Sequence, residues 1–191
     1  MRKLVLFMHT SLDGFVAGPN GELDWIFYDE ELERYAAELV STVGSPLYGR
    51  VTYQMMESYW PTVLKNPSSK KYELEHAQWV ENINKVVFSK TLQKVDWKNT
   101  RLIKENIAEE IQKLKQQPGK DLVIFGSPGL AQTFMRLGLI DEYRLTVNPV
   151  VLGRGIPLFK EIKNRINLRL INAKTFNSGV VGFHYERKSD I

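Results

Sequence analysis

The fold is decided by one short stretch, Asp121-Leu122-Val123-Ile124-Phe125-Gly126-Ser127-Pro128-Gly129-Leu130. Its first half is a continuous apolar run, which is typical of a buried strand. Its second half predicts the start of a helix, with Ser127 as the N-cap and Pro128 in the first turn. We expect that helix to run to about Leu137, with Gly138 ending it. A strand that leads directly into a helix is the repeating unit of an α/β fold.

Outward from this stretch, strands and helices alternate over most of the chain. Apolar runs and helical periodicity predict strands at 4–8, 46–48, 85–88 and 100–103, and helices at 29–43, 52–59, 71–82 and 106–117. Asn106 is the expected N-cap of the last helix, with Glu109 completing a capping box. Three β-rich segments follow at 142–151, 167–176 and 180–187, and a turn at 177–179 joins the last two. This order predicts a mostly parallel sheet with an antiparallel C-terminal edge.

Length and composition are those of an ordinary globular protein. The chain has 191 residues, of which 43% are hydrophobic and 25% are charged, so we expect one domain over 1–191 rather than a fibrous or low-complexity chain. It has no cysteine, which excludes disulfides, thiolate metal sites and cysteine nucleophiles. The spacing of the histidines, at 9, 76 and 184, does not suggest a zinc site, so no metal is expected.

The charge of the chain favours a small anionic ligand. Its net charge is +4, and acidic residues are interspersed among the basic ones throughout, so a nucleic-acid partner is not expected. No apolar run reaches the roughly 18 residues that span a membrane. The short basic and apolar start resembles a buried first strand more than a signal peptide. We therefore expect a soluble, cytoplasmic protein that does not bind membranes.

Three predicted strands end in small, hydroxylated or basic residues. The stretch 126–130 offers glycines and the amides of a helix start, which favour a phosphate. Gly49-Arg50-Val51-Thr52 and Ser89-Lys90-Thr91 follow two other strands, and each adds hydroxyls and a cation. Each segment alone also has a purely structural explanation: a tight turn that needs glycine, or a solvated charge. Together they predict an extended ligand with several phosphates, because ligands of open α/β sheets bind beyond the carboxyl ends of strands.

Acidic residues near the start of the chain are candidates for protonating or positioning a substrate. Ser11-Leu12-Asp13-Gly14 begins a glycine-rich loop after the first strand, and Trp25 precedes Asp29 and Glu30 at the start of a helix. Asp13 could also simply cap a turn, and acids at a helix start also stabilise the helix dipole. Because that dipole opposes protonation, Asp13 is the first candidate, ahead of a relayed water and of the helix-start pair.

These motifs resemble the dihydrofolate reductase-like superfamily, and within it the reductase domain of bacterial riboflavin biosynthesis. The resemblance covers nearly the whole chain. It is carried by Ser11-Leu12-Asp13-Gly14, by Gly49-Arg50-Val51-Thr52, by Gly126 to Leu130 continuing into Leu139 to Leu145, and by Pro149 to Phe159. It implies an α/β fold with a mostly parallel central sheet of about eight strands, an antiparallel C-terminal hairpin and helices on both faces.

The resemblance also implies an NADPH-dependent reductase of a pyrimidine-type or pterin-type ring. Its catalytic candidates are Asp13, Asp29 and Glu30, and its substrate-binding candidates are Ser11, Asp13 and Trp25. It places cofactor phosphates at Gly49, Arg50, Val51 and Thr52, the adenosine 2′-phosphate near Ser89, Lys90 and Thr91, and the pyrophosphate at Gly126, Ser127, Pro128, Gly129 and Leu130. It also favours a homodimer built partly from the C-terminal strands.

Alternatives stay open at this stage. The riboflavin reductases commonly carry Glu-Gly-Gly where this chain has Phe125-Gly126-Ser127, which bears on whether the substrate is a ribosyl phosphate. The enzyme could instead reduce a pterin, a folate or another small carbonyl or imine compound. A nucleotide-binding module without catalysis is the contrasting class, because a fold alone does not establish activity. Likewise, the 180–187 strand could be central within one subunit instead of forming a dimer edge.

Overall fold

The computed structural model describes residues 1–188, so the last three residues of the predicted 1–191 domain lie outside the described residues. The strands are β1 (Leu4–Ser11), β2 (Phe15–Ala17), β3 (Val43–Gly49), β4 (Lys85–Phe88), β5 (Thr100–Ile103), β6 (Asp121–Phe125), β7 (Glu142–Asn148), β8 (Ile156–Pro157), β9 (Leu168–Thr175) and β10 (Val181–Arg187). The helices are α1 (Glu30–Thr42), α2 (Arg50–Val63), α3 (Lys71–Asn82), α4 (Ile107–Gln116) and α5 (Pro128–Arg136). Every strand and helix expected from the sequence is present.

Eight strands form one sheet in the order β5-β4-β3-β6-β1-β7-β10-β9. All neighbours from β5 to β7 are parallel, whereas β10 is antiparallel to both β7 and β9. The predicted fold class is therefore confirmed: a mostly parallel α/β sheet with an antiparallel C-terminal strand pair. Because the six parallel strands point the same way, all their carboxyl ends lie along one edge of the sheet.

Helices cover both faces of the sheet, and alternation along β1 shows why. Leu4, Leu6 and Met8 belong to the core cluster that contains residues of α4 and α5. Val5 and Phe7 point to the other face, where they pack with residues of α1. A strand buried on both faces must be apolar throughout, as the continuous run in β1 is. Within residues 1–188, no helix is both long and apolar enough to cross a membrane.

Two predicted N-cap residues are confirmed in position, but the side-chain hydrogen bonds expected of them are absent from the described residues. Asn106 and Ser127 do occupy the N-cap positions, but both have left-handed backbones, with φ of 53° and 55°. Within the described chain, neither side chain makes a capping hydrogen bond to its own helix. An N-cap side chain reaches the amides of the first turn from an extended backbone, as Asp29 does at α1 with φ of −109°. In the left-handed conformation the side chain is directed elsewhere.

The position of the C-terminal strands differs from the one on which the expected homodimer was based. The 180–187 strand is β10, which lies inside the sheet between β7 and β9. Its large apolar residues, Val181, Phe183 and Tyr185, alternate with Gly182, His184 and Glu186, so they lie on one face of a strand that is central within one subunit. The edge strand is β9 instead, where Leu170 and Ile171 are about half exposed, at 52% and 45%. The homodimer stays a prediction, with β9 rather than β10 as the strand available for pairing.

Candidate functional site

The three ligand-facing segments predicted from the sequence are neighbours in the structure. They follow β4, β3 and β6, which lie side by side in the sheet. Gly49 pairs with Phe88 of β4, and the preceding Leu47 pairs with Ile124 of β6. Adjacent strands are roughly 4.8 Å apart, so the three strand ends span about 10 Å along the carboxyl edge. One extended ligand can therefore contact all three.

Ser127 joins two of these segments. Its hydroxyl accepts a hydrogen bond from the backbone N–H of Gly49 at 2.9 Å. Its own N–H donates to the hydroxyl of Thr52 at 3.1 Å, and both side chains are buried. The left-handed backbone at Gly126, with φ of 60°, and at Ser127 makes this connection possible. The turn after β6 is thereby held against the start of α2.

The two helix starts at this edge are suited to hold an anion. Among residues 1–188, the N-cap residues of α2 and α5, Gly49 and Ser127, make no side-chain hydrogen bond to the amides of their own first turns, and neither first turn contains an acid. By contrast, α1 has Asp29 as its cap and three glutamates in its first turn. Uncapped helix starts present unpaired amides and a partial positive charge. We call these two starts, Gly49–Thr52 and Gly126–Leu130, the cradle.

The cradle also leaves room for a ligand. A Cβ atom built on Gly129 would meet nothing within 4 Å, so the space beside the start of α5 is open. Arg50 and Val51 are exposed on α2, and the Arg50 guanidinium donates to Gln54 Oε1 at 3.3 Å. Beside them, the Ser89 hydroxyl accepts from the amides of Thr91 and Leu92 at 3.2 and 3.1 Å. That turn leaves Lys90 exposed.

Asp13 lies in the loop after β1, where its carboxylate holds a distant part of the chain. It accepts hydrogen bonds from the Ser11 hydroxyl at 2.7 Å and from the amides of Leu152 and Gly153 at 3.1 and 2.7 Å. These donors, the Ser11 hydroxyl foremost, lower the pKa of the Asp13 carboxyl below its usual range. A proton donor at neutral pH needs a raised pKa. The geometry therefore favours a positioning role for Asp13 over proton donation.

The other acidic candidates lie at the start of α1. Asp29 accepts a hydrogen bond from the Leu32 amide at 2.9 Å, which lowers the pKa of its carboxyl. Glu30 follows with an exposed side chain that lies 4.0 Å from Arg34. Trp25 lies in the preceding loop, and its indole N–H donates to the carbonyl of Glu22 at 3.0 Å. These contacts agree with the helix-capping alternative for Asp29, whereas the catalytic assignments of Asp29 and Glu30 stay predictions.

Two polar residues of β7 were not singled out from the sequence. Thr146 and Asn148 are fully buried, with 0% exposure. Asn148 accepts from the Phe27 amide at 2.9 Å and donates to the Thr10 carbonyl at 3.2 Å, so it holds the 18–29 loop over the ends of β1 and β7. Thr146 is paired across the strands with His9 of β1. The available signal was polar residues at a period of two in a strand that is otherwise buried.

The sheet order and the helices on both faces define the class: the chain has a dihydrofolate reductase-like fold. Dihydrofolate reductase from Enterococcus faecalis, solved in complex with NADP(H), matches with a TM-score of 0.64 at 14% identity, over 98% of this chain and 97% of that one. At this identity the likeness concerns the fold alone.

Within this class, the chain belongs to the RibD C-terminal domain family, whose model matches residues 2–182. Protein YyaP of Bacillus subtilis (strain 168), itself described as uncharacterized, is 40% identical over 96% of this chain and 94% of its own length. A candidate riboflavin biosynthesis protein from Shewanella sp. PV-4 matches with a TM-score of 0.78 at 25% identity, over 98% and 99% of the two chains. The expected family is thereby confirmed.

Proposed function

We propose that this protein is an NADPH-dependent reductase whose substrate is a pyrimidine-type heterocyclic compound, resembling the 5-amino-6-(5-phosphoribosylamino)uracil reductase of riboflavin biosynthesis. The observation that carries the proposal is the cradle, in which two linked helix starts contain no acid and the space beside Gly129 is open. The family supports the reductase class. A fold neighbour from Thermotoga maritima also supports it, because that protein is described as a deaminase and a 5-amino-6-(5-phosphoribosylamino)uracil reductase. The two chains are 14% identical and match with a TM-score of 0.69, over 98% of this chain and 57% of that one.

The residues present fit a dinucleotide phosphate. The amides of Gly129 and Leu130, together with the start of α2, would hold the pyrophosphate, because a helix start stabilises negative charge. Arg50 and Lys90 are exposed at the same edge and would contact the 2′-phosphate. When bound, NADPH supplies the hydride. The chain's own part is to hold the cofactor, to orient the substrate ring beside the ends of β1 and β7, and to exclude water there.

The loop after β1 closes the substrate end of this site. Ser11, Asp13 and the 150–153 segment form one hydrogen-bonded unit, and the amide of Leu158 donates to the carbonyl of Gly14 at 2.9 Å. We propose that Asp13 keeps this loop in place while a relayed water delivers the proton to the substrate. Trp25 lies in the 18–29 loop that Asn148 anchors, so it is proposed to cover the ring from the other side.

The proposed reaction is tested by measuring NADPH oxidation by the full chain. The substrates to compare are 5-amino-6-(5-phosphoribosylamino)uracil, a dihydropterin, a dihydrofolate and simple carbonyl compounds. Oxidation with the phosphoribosyl compound supports the riboflavin-type activity. Oxidation with a pterin, a folate or a carbonyl compound instead supports an orphan reductase, which the missing acid at Phe125 favours. NADPH binding without oxidation of any of them would indicate a binding module.

Preference for NADPH over NADH is expected to depend on Arg50 and Lys90. Charge-assisted hydrogen bonds contribute roughly 1.5–3 kcal/mol, and less at exposed positions such as these. We expect calorimetry to give a Kd for NADPH that is about tenfold or more below the Kd for NADH. The double variant Arg50→Ala, Lys90→Ala should lose this difference. The control is the double variant Lys113→Ala, Lys120→Ala, which removes one exposed lysine of α4 and one exposed lysine directly before β6. This variant should keep the preference for NADPH. Equal affinity of the unaltered chain for both cofactors contradicts the assignment of these cations.

A further inference from the structure

His9 of β1 lies where the proposed substrate ring would be. Side chains alternate along a strand, so the His9 ring lies on the same face as Phe7 and on the opposite face from Met8. This is the face covered by α1, near the carboxyl end of β1. The His9 ring makes edge contacts with the rings of Phe7 and Tyr28, with centroids 5.2 and 5.9 Å apart. Tyr28 immediately follows Phe27, whose amide Asn148 holds. The anchored loop therefore places an aromatic ring beside His9.

Neighbouring aromatic rings extend this surface towards the cradle. Phe7 contacts Phe125 at 5.8 Å, and Phe125 contacts Trp79 at 6.0 Å. His9, Tyr28, Phe125 and Trp79 are all partly exposed, whereas rings deep in a core are closed to solvent. Phe125 directly precedes Gly126 of the cradle. A row of partly exposed rings beside a cofactor site favours a flat aromatic ligand, which can pack against them.

The hydrogen bond between His9 and Thr146 determines which ring nitrogen carries the proton. Nδ1 of His9 lies within hydrogen-bond distance of the Thr146 hydroxyl, and within residues 1–188 that hydroxyl has no other partner. Thr146 is fully buried, so a hydroxyl hydrogen without an acceptor would cost about 1–3 kcal/mol. The hydroxyl therefore donates to Nδ1. In a neutral ring the proton is then on Nε2.

Nε2–H of His9 remains available to a ligand. Within the described part of the chain, this nitrogen has no hydrogen-bond partner, and it is not among the fully enclosed unpaired atoms. Burial lowers the pKa of His9 to about 4, so the ring is neutral at physiological pH. A neutral ring fixed in one tautomer offers a single donor in a known direction. Such a donor recognises a carbonyl oxygen or an unprotonated ring nitrogen.

We infer that His9 is a substrate-contacting residue whose Nε2–H donates to an acceptor on the edge of a flat heteroaromatic ring, with Thr146 as the positioning residue that fixes its tautomer. This inference rests on the proposed function, and it adds the substrate's chemistry: an aromatic heterocycle with a carbonyl or ring-nitrogen acceptor facing β1.

The inference is tested by measuring how tightly small heteroaromatic compounds bind to the NADPH-saturated protein. Lumazine, pterin and uracil serve as probes, with Kd measured by fluorescence or calorimetry. His9→Phe keeps the aromatic contacts and removes the donor, so Kd should rise about tenfold or more. His9→Gln supplies an amide N–H close to the position of Nε2 and should recover most of that loss. Thr146→Val should weaken binding about three- to tenfold by releasing the tautomer, while its matched control Thr10→Val should change Kd less than twofold.

The outcomes separate this inference from the proposed function. Thr10 is a suitable control because it is also a buried threonine near the end of β1, but its side chain points to the opposite face of the sheet from His9. The Kd for NADPH should be the same in all four variants. Failure of the unaltered chain to bind NADPH contradicts the proposed function. Normal NADPH binding with equal probe affinity in His9→Phe, or with no probe bound at all, overturns the role of His9.

Discussion

Gly129→Val is expected to abolish NADPH binding while the protein stays folded. A Cβ atom at position 129 meets nothing within 4 Å, and its φ lies outside the left-handed region, so the chain itself tolerates a side chain there. A bound pyrophosphate would occupy that same space, because the amides of the α5 start point to it. We expect a loss of affinity of at least about 100-fold by calorimetry, equivalent to about 2.7 kcal/mol.

Two further variants make this result specific. Gly126 has φ of 60° and a Cβ there would lie 3.5 Å from Thr52, so Gly126→Val should lower both NADPH affinity and stability. Gln112→Val places the same branched side chain on the exposed middle of α4 and should leave binding unchanged. If Gly129→Val binds NADPH like the unaltered chain, the pyrophosphate site is not at the start of α5.

Acidification is expected to destabilise the protein between about pH 7 and pH 4.5, through its buried histidines. Burial lowers the pKa of both His9 and His76 from 6.5 to about 4. His76 is packed among aromatic rings, with Trp60 at 4.4 Å and Trp79 at 5.3 Å. In this interval the unfolded histidines bind protons and the folded ones do not, so the free energy of unfolding falls as the pH falls. At pH 4.5, each histidine lowers the free energy of unfolding by about 2–3 kcal/mol relative to neutral pH.

The slope of stability against pH isolates this effect from the cost of a substitution. His76→Phe removes the titrating group and keeps an aromatic ring, so denaturant unfolding should show about half the slope of the unaltered chain over this interval. Above about pH 7.5, where both histidines are neutral in both states, the two proteins should have the same slope. An unchanged slope at acidic pH in His76→Phe would contradict this, because His76 would then bind its proton at the same pH in the folded and unfolded states.

Most of the fold could be predicted from the sequence because its elements have strong local signals. The strands at 85–88, 100–103 and 121–125 and the helix at 71–82 have the predicted bounds. Apolar runs bounded by polar or glycine-containing turns determine these positions. The β2–β8 pair was missed because its strands have three and two residues and form only by pairing between distant positions, as between Phe15 and Pro157. This strand pair is stabilised by contacts between distant parts of the chain, which a local sequence pattern cannot predict.

The candidate site could be predicted where it follows from strand ends, and not where it depends on distant side chains. Gly126 and Gly49 follow parallel strands, so their convergence is a consequence of the sheet. The sequence cannot show that the Asp13 carboxylate accepts the amide of Gly153, 140 positions away. Nor could it show that Thr146 lies beside His9, because the register between β1 and β7 is set by packing.

Calorimetric titration of the full chain with NADPH, followed by the same titration of Gly129→Val, measures directly whether the cradle holds the cofactor. We expect saturable binding of one NADPH per chain for the unaltered protein, tighter than NADH binding, and no measurable binding for the variant. An unaltered chain that folds but gives no saturable heat with NADPH would contradict this expectation, since the cradle would then hold no dinucleotide.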